Sequence, residues 1–283
     1  MKILLARHFG ICFGVRDAIA QAKKLAAHGP LTILGQLVHN PVVREQLQSQ
    51  GVAEGSLDDP RPNTHRVMIT AHGASDLQRS KWRAAGFELA DATCPLVRHA
   101  HEQLKRLAAA GYFPVVIGKA GHVEVRGLTE DFPGAFVLES LLDLPKLPVH
   151  GRYGVISQTT QPIDHVQKLV AAIRALHPGS EVVFADTVCR PTKERQLALR
   201  ALIAQVDMIV VVGGRESNNT KQLVQTCRAA GKTAFHVERA EELQPEWFVG
   251  IDRVGLTAGT STLPETVLSV YERLLQFSEQ NNR

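Results

Sequence analysis

The alternation of apolar and polar positions divides the chain into helical and extended stretches that recur in one order. PLVRHAHEQLKRLAAAG, residues 95–111, carries its apolar residues on one helical face and stops at Gly111. YFPVVIGKAGHVEVRG then reads as a buried strand, a glycine turn and a polar cluster, and YGVISQTTQP as a strand ending in Ser and Thr. The same series follows residue 189: the helix PTKERQLALRALIAQ, then VDMIVVVGGRESNNTKQL, then RVGLTAGTSTLPE. It follows residue 12 as well, as the helix VRDAIAQAKKLAAHG, then PLTILGQLVHNPVV, then HRVMITAHGAS. Three α/β units are therefore predicted, covering 12–92, 93–187 and 188–283. The strand KILLA, residues 2–6, falls outside this series and is expected to pair with the third unit. Gly29-Pro30 and the stretch 144–151 read as loops.

Each unit opens on a cysteine. From Cys12 to His39 is 27 residues, and from Cys94 to His122 and Cys189 to Ser217 it is 28. A second polar strand end follows each cysteine by 60, 65 or 72 residues, at His72, Thr159 and Ser261. Ligands of parallel α/β sheets gather at the carboxyl ends of the strands. The fold class expected is three similar α/β units in a pseudo-threefold arrangement around a central cavity.

Composition narrows the function. The 283 residues are 44% hydrophobic and 21% charged, with a formal net charge of +4 and dispersed basic residues. No Lys/Arg tract or RNA-binding signature is present, so no nucleic-acid partner is expected. A mild positive field suits an anionic small molecule. No apolar run nears the ~18 residues of a membrane span, and only four apolar residues in a row precede Arg7, too few for a signal-peptide core. The expected location is the cytoplasm, where the four cysteines serve as metal ligands, nucleophiles or core residues rather than disulfides.

A lone cysteine is most often simply buried. Three at one repeated position are hard to assign to packing. Three thiolates suit either Zn²⁺ with an open fourth position or an iron–sulfur cluster with one open iron. Cys227 lies inside the amphipathic helix TKQLVQTCRAAG, has no counterpart in the other units and reads as structural.

The polar clusters hold His39 and Asn40, His72 and Ser75, His122 and Glu124, Ser157 to Thr160, Ser217 to Asn219, and Thr260 with Ser261. Any one Ser or Asn could be a helix cap. Six clusters of neutral donors before helix N-termini suit a phosphate or diphosphate. Glu124 stands beside a histidine in a site built for an anion, which fits a proton donor with a raised pKa.

GICFGV, VHNPVV, AHGAS, DATCPLV, GHVEVRG, SQTT, DTVC, SNNT and TAGTS, in this order over nearly the whole chain, resemble the 4-hydroxy-3-methylbut-2-enyl diphosphate reductase family. The resemblance implies a [4Fe–4S] cluster held by Cys12, Cys94 and Cys189, with the fourth iron open to substrate. It implies diphosphate binding by His39, His72, His122, Ser217, Asn218, Asn219 and Ser261. Glu124 matches the carboxylate that delivers protons, and Thr159 lies next to the substrate hydroxyl. The implied reaction is a reductive dehydroxylation giving isopentenyl and dimethylallyl diphosphates, with ferredoxin or flavodoxin as electron donor. Phe13 stands where the family usually has alanine, Val123 where it has proline and Asn218 where it has serine, and Pro191 interrupts the usual run after the third cysteine. Two alternatives follow: a paralogue reducing another allylic or phosphorylated alcohol, or a three-cysteine zinc hydrolase or lyase. A non-enzymatic cluster or anion sensor has less to commend it, because a sensor needs no proton donor.

Overall fold

The computed structural model describes residues 1–59 and 61–280. Its strands pair in parallel throughout, in three four-stranded sheets. After β1 (Lys2–Leu5), the first module runs α1 (Phe13–Ala26), β2 (Thr32–Leu34), α2 (Pro41–Ser49), β3 (Ala53–Gly55), β4 (Arg66–Ile69), α3 (Asp76–Ala84) and β5 (Glu88–Asp91). The second runs α4 (Pro95–Ala109), β6 (Phe113–Ile117), α5 (Val123–Thr129), β7 (Phe136–Leu138), β8 (Arg152–Ser157), α6 (Ile163–Leu176) and β9 (Glu181–Phe184). The third runs α7 (Arg190–Ile203), β10 (Met208–Val212), α8 (Asn218–Ala229), β11 (Thr233–Val237), β12 (Arg253–Ala258) and α9 (Pro264–Gln280).

The sheet orders are β3-β2-β4-β5, β7-β6-β8-β9 and β11-β10-β12-β1. They are one topology used three times. β1 pairs with β12 from Lys2–Arg253 to Leu5–Leu256 and fills the edge slot that β5 and β9 fill in the other sheets. Each cysteine thus follows the strand at this edge of one sheet and opens the first helix of a module.

Helices cover both faces of the third sheet, which explains its unbroken apolar runs. Met208, Val210 and Val212 of β10 face Val267, Val270 and Leu274 of α9. Ile209 and Val211, pointing the other way, face Leu199 and Leu202 of α7 and Leu223 and Val224 of α8. The second sheet repeats this, with Val115 and Ile117 toward α6 and Val116 toward Ala100 and Leu104 of α4 and Val125 and Leu128 of α5. Each such fully buried Val, Ile or Leu contributes about 1.5–3 kcal/mol relative to exposure.

In the cluster GHVEVRG, His122 caps α5, in keeping with a polar cluster before a helix N-terminus. Two differences from the sequence reading stand out. The edge strands β3, β7 and β11 were not anticipated; the first two are three residues long, too short for a period to register. The expected loop at 144–151 begins inside a 3₁₀ turn, Leu141–Lys146, capped by Ser140 and Asp143.

Two compact units emerge. The first comprises Met1–Arg16, Val38–Gln46 and the chain from Arg190 on, and contains the third sheet. The second comprises Asp17–Leu37 and Leu47–Cys189, and contains the other two. Inside the second unit the loop after β4 meets α5. A Cβ on Gly127 would lie 3.2 Å from Ala74 Cα, so glycine permits this approach. Ser75 Oγ donates to Glu130 at 2.8 Å, and Asp131 accepts from the N–H groups of Asp76 and Leu77 at 2.7 and 2.9 Å.

Candidate functional site

Six candidate residues lie in each compact unit. Cys12, His39, Ser217, Asn218, Asn219 and Ser261 belong to the first; His72, Cys94, His122, Glu124, Thr159 and Cys189 belong to the second.

The three cysteines are built alike. Each directly precedes a helix, α1, α4 or α7. Each backbone N–H is held by a carbonyl two residues past the end of a central strand: Cys12 by Thr260 at 3.0 Å, Cys94 by Ala71 at 3.0 Å and Cys189 by Thr159 at 2.9 Å. The sulfur of Cys94 takes no part in capping α4. All three cysteines are partly exposed as residues, whereas Cys227 is fully buried in α8 and burial pushes its thiol up to about 12. A helix N-terminus favours a thiolate; an apolar core does not.

The repeated aspartate before Cys94 and Cys189 shapes the approach to each. Asp91 Oδ1 accepts from Thr93 N at 2.9 Å and Asp186 Oδ1 from Val188 N at 3.2 Å. Burial pushes the Asp91 carboxyl up, but its bonds from Thr93 and Arg79 outweigh this and hold it below its ordinary value. Before Cys12 an arginine does comparable work. Buried Arg195 donates through Nε and Nη2 to the Gly10 carbonyl at 3.1 and 2.6 Å.

The second set of positions is the start of α2, α5 and α8. Asn40 Oδ1 accepts from Val42 N at 2.9 Å, His122 Nδ1 from Glu124 N at 3.1 Å and Ser217 Oγ from Thr220 N at 3.4 Å. These caps stand 28 residues after Cys12, Cys94 and Cys189 alike. The equivalent of His122 and Ser217 is therefore Asn40; His39, chosen in sequence at 27, lies one residue earlier. Burial lowers the His39 pKa, the nearby Glu216 charge only partly opposing this, so its ring is neutral at pH 7.

Two residues past the cap, the units diverge. Glu124 Oε1 accepts from Thr159 N at 2.6 Å, and Asn219 Oδ1 accepts from Thr260 N at 3.0 Å. Thr159 and Thr260 are also the residues whose carbonyls hold Cys189 and Cys12. Glu124 and Asn219 thus occupy one structural position, which Val42 fills in the first module. By this equivalence Thr159 matches Ala71 and Thr260, one residue before the matches of His72 and Ser261. Glu124 is 2% exposed. Burial raises its pKa from 4.5 to about 7, against the opposing bonds from the Thr159 backbone and side chain. Asn219 is 2% exposed, and its buried Nδ2 has no acceptor among the described residues, a donor left over for a ligand. The His72 and His122 rings meet edge to face, centroids 5.5 Å apart. Asn218 sits in the first turn of α8, buried, and Ser261 Oγ donates to the His39 carbonyl at 3.4 Å.

Sequence reasoning noted Asn40 and Thr260 only as neighbours of other candidates and missed Arg195. The equal 28-residue spacing is the signal that would have singled out Asn40. Arg195 offers none, since a buried arginine is recognised only by the carbonyls it meets. A partly exposed cysteine at a helix N-terminus suits soft-metal ligation. The surplus amide donor and neutral histidine suit an anion. Among the described residues no helix is long and apolar enough to cross a membrane.

Comparison with known proteins finds matches over nearly the whole chain. The LytB protein family model matches residues 3–275. A 4-hydroxy-3-methylbut-2-enyl diphosphate reductase of Geotalea uraniireducens (strain Rf4) is 35% identical over 284 residues, covering 100% of both chains. The solved E-1-hydroxy-2-methyl-but-2-enyl-4-diphosphate reductase of Plasmodium falciparum aligns at a TM-score of 0.91 and 26% identity, over 99% of this chain and 89% of its own. A second solved structure, an (E)-4-hydroxy-3-methyl-but-2-enyl diphosphate reductase described as the terminal enzyme of the non-mevalonate pathway, aligns at 0.69 and 33% identity, over 98% and 100%.

Proposed function

This chain belongs to the LytB family, and on that premise we propose that it is a 4-hydroxy-3-methylbut-2-enyl diphosphate reductase whose proton donor is Glu124. The observation that carries the reading is the Glu124–Thr159 pair: a carboxyl in the first turn of α5, 2% exposed, with its pKa raised to about 7. An ordinary carboxylate at neutral pH has no proton to give. One poised at 7 is protonated in about half the molecules and regains the proton readily.

The reaction balances as an allylic alcohol plus two electrons and two protons, giving the deoxygenated diphosphate and water. One C–O bond breaks and one C–H bond forms. Cys12, Cys94 and Cys189 supply three thiolates to a [4Fe–4S] cluster; when bound, that group supplies the electrons and an open iron for the hydroxyl. Glu124 holds the proton on its carboxyl, and the Thr159 hydroxyl, bonded to that carboxyl, orients it toward the leaving oxygen. His39, His72, His122, Ser217, Asn218, Asn219 and Ser261 bind the diphosphate, the Asn219 amide with a donor to spare. The products are isopentenyl and dimethylallyl diphosphates, and the electron donor is a ferredoxin or flavodoxin acting in the cytoplasm.

The test mixes anaerobically reconstituted protein, reduced viologen and 4-hydroxy-3-methylbut-2-enyl diphosphate. Substrate-dependent dye oxidation is expected. Absence of oxidation with the cluster absorbance intact would replace this reading with reduction of another allylic or phosphorylated alcohol. One zinc per chain and no sulfide would replace it with zinc chemistry.

A further inference from the structure

The start of α2 is held more tightly than a helix cap requires. Asn40 is 2% exposed and uses both ends of its amide. Its Oδ1 caps α2 at Val42 N and Val43 N, 2.9 and 3.4 Å away. Its Nδ2 donates to the Ser261 carbonyl at 2.6 Å, across 221 residues of chain. Ser261 replies through Oγ to the His39 carbonyl. The same carbonyl lies against Gly214 so closely that any Cβ there would collide with it. All of these residues belong to the first compact unit.

We infer that Asn40 is a positioning residue that fixes His39 and Ser261 relative to one another as a pair of diphosphate ligands. The inference rests on the assignment of those two residues to the diphosphate. Side-chain chemistry selects asparagine here. Serine or threonine caps a helix but is too short to reach a second backbone group as well. Aspartate caps, but it would set a carboxylate oxygen against the Ser261 carbonyl with no proton to share. Capping through Oδ1 leaves the Nδ2 bond to the Ser261 carbonyl unexplained, so capping alone does not account for the residue at 40. Asn40 touches no reacting atom, so its effect falls on ground-state and transition-state binding alike. That pattern raises KM and spares kcat.

The discriminating variant is Asn40→Ser, which retains a cap and adds no charge near the anion. It is measured as the cluster-loaded enzyme in the viologen assay, with competitive inhibition by inorganic diphosphate and thermal midpoint recorded alongside. KM for substrate and Ki for inorganic diphosphate are both expected to rise about tenfold, the worth of one hydrogen bond. The kcat should stay within about twofold of wild type, and the midpoint should fall no more than a cap exchange explains. Glu45→Ala, which removes an exposed ion pair from α2 to Arg239, serves as control and should leave both constants unchanged. An unchanged Ki in Asn40→Ser would reduce Asn40 to a helix cap and overturn the inference. A large fall in midpoint with kcat lost in proportion would show a purely structural role and overturn it too. Calorimetric binding of inorganic diphosphate separates this outcome from failure of the functional reading. If wild type binds diphosphate but reduces no substrate, the reaction assignment fails, and the Asn40→Ser comparison still decides the positioning role.

Discussion

Glu124 and Asn219 show how one position in a repeat acquires different chemistry. Both accept the N–H of the residue that anchors a cysteine, but only the carboxyl can change its charge. Glu124→Gln preserves the shape and the bond from Thr159 and removes the proton. Turnover in the viologen assay is expected to fall by about 10²–10⁴, the usual worth of a positioned acid, with iron content and visible absorbance unchanged. The same substitution exposes a pH effect on stability. The folded-state pKa is raised, so the stability tied to the bound proton is full below about 4.5 and is lost as pH rises through about 7. The amide variant lacks that loss. Relative to wild type, its thermal midpoint should gain between about pH 5 and 7 and level off above, a difference of up to about 3 kcal/mol. Parallel midpoint curves would show that Glu124 titrates as an ordinary carboxylate.

Among the elements, the loop from β10 to α8 bears most directly on the corner that starts α2. Gly214 leaves room for the His39 carbonyl and the Asn40 backbone. Gly214→Ala must push that corner away, an overpacking cost of about 1–3 kcal/mol, and the Ki for inorganic diphosphate should rise with it. Gly179→Ala, at a site open to solvent, should change neither by a measurable amount. Equal effects of the two substitutions would remove the steric explanation. The short loops before the cysteines are stiff for a related reason. Asp91, Asp186 and Arg195 each occupy backbone groups that a loop would otherwise leave to water.

Over the whole molecule, one four-stranded topology serves three times, and β1 completes the third sheet. Two classes of cysteine result. Cys12→Ser, Cys94→Ser and Cys189→Ser should each lower iron per chain and the visible absorbance of the reconstituted protein while leaving the fold near wild-type stability. Cys227→Ser should do the reverse. It should keep the iron but lose about 1–3 kcal/mol, because it sets a hydroxyl among Leu199, Leu202 and Leu223. Iron loss in all four variants, or in none, would contradict the assignment.

The sequence by itself determined the α/β class, the threefold repeat and the contrast between three cysteines that each open a unit and one helical cysteine. All of these rest on local signals: apolar runs long enough to show a period, glycines at turns, and fixed spacings. Short edge strands such as β3 left too few residues for any period. The match of Asn40, rather than His39, to His122 and Ser217 lay in the equal 28-residue spacing, and the three helix caps show what that spacing means. Only the tertiary structure decided that Asn40 spans two distant segments, that Arg195 grips the loop before Cys12, and that Glu124 is buried deeply enough to hold a proton near pH 7. The physical reason is common to all three. Hydrogen bonds across long sequence separations and the desolvation of a carboxyl depend on what surrounds a residue in space, and the residue's own neighbours along the chain carry no record of it.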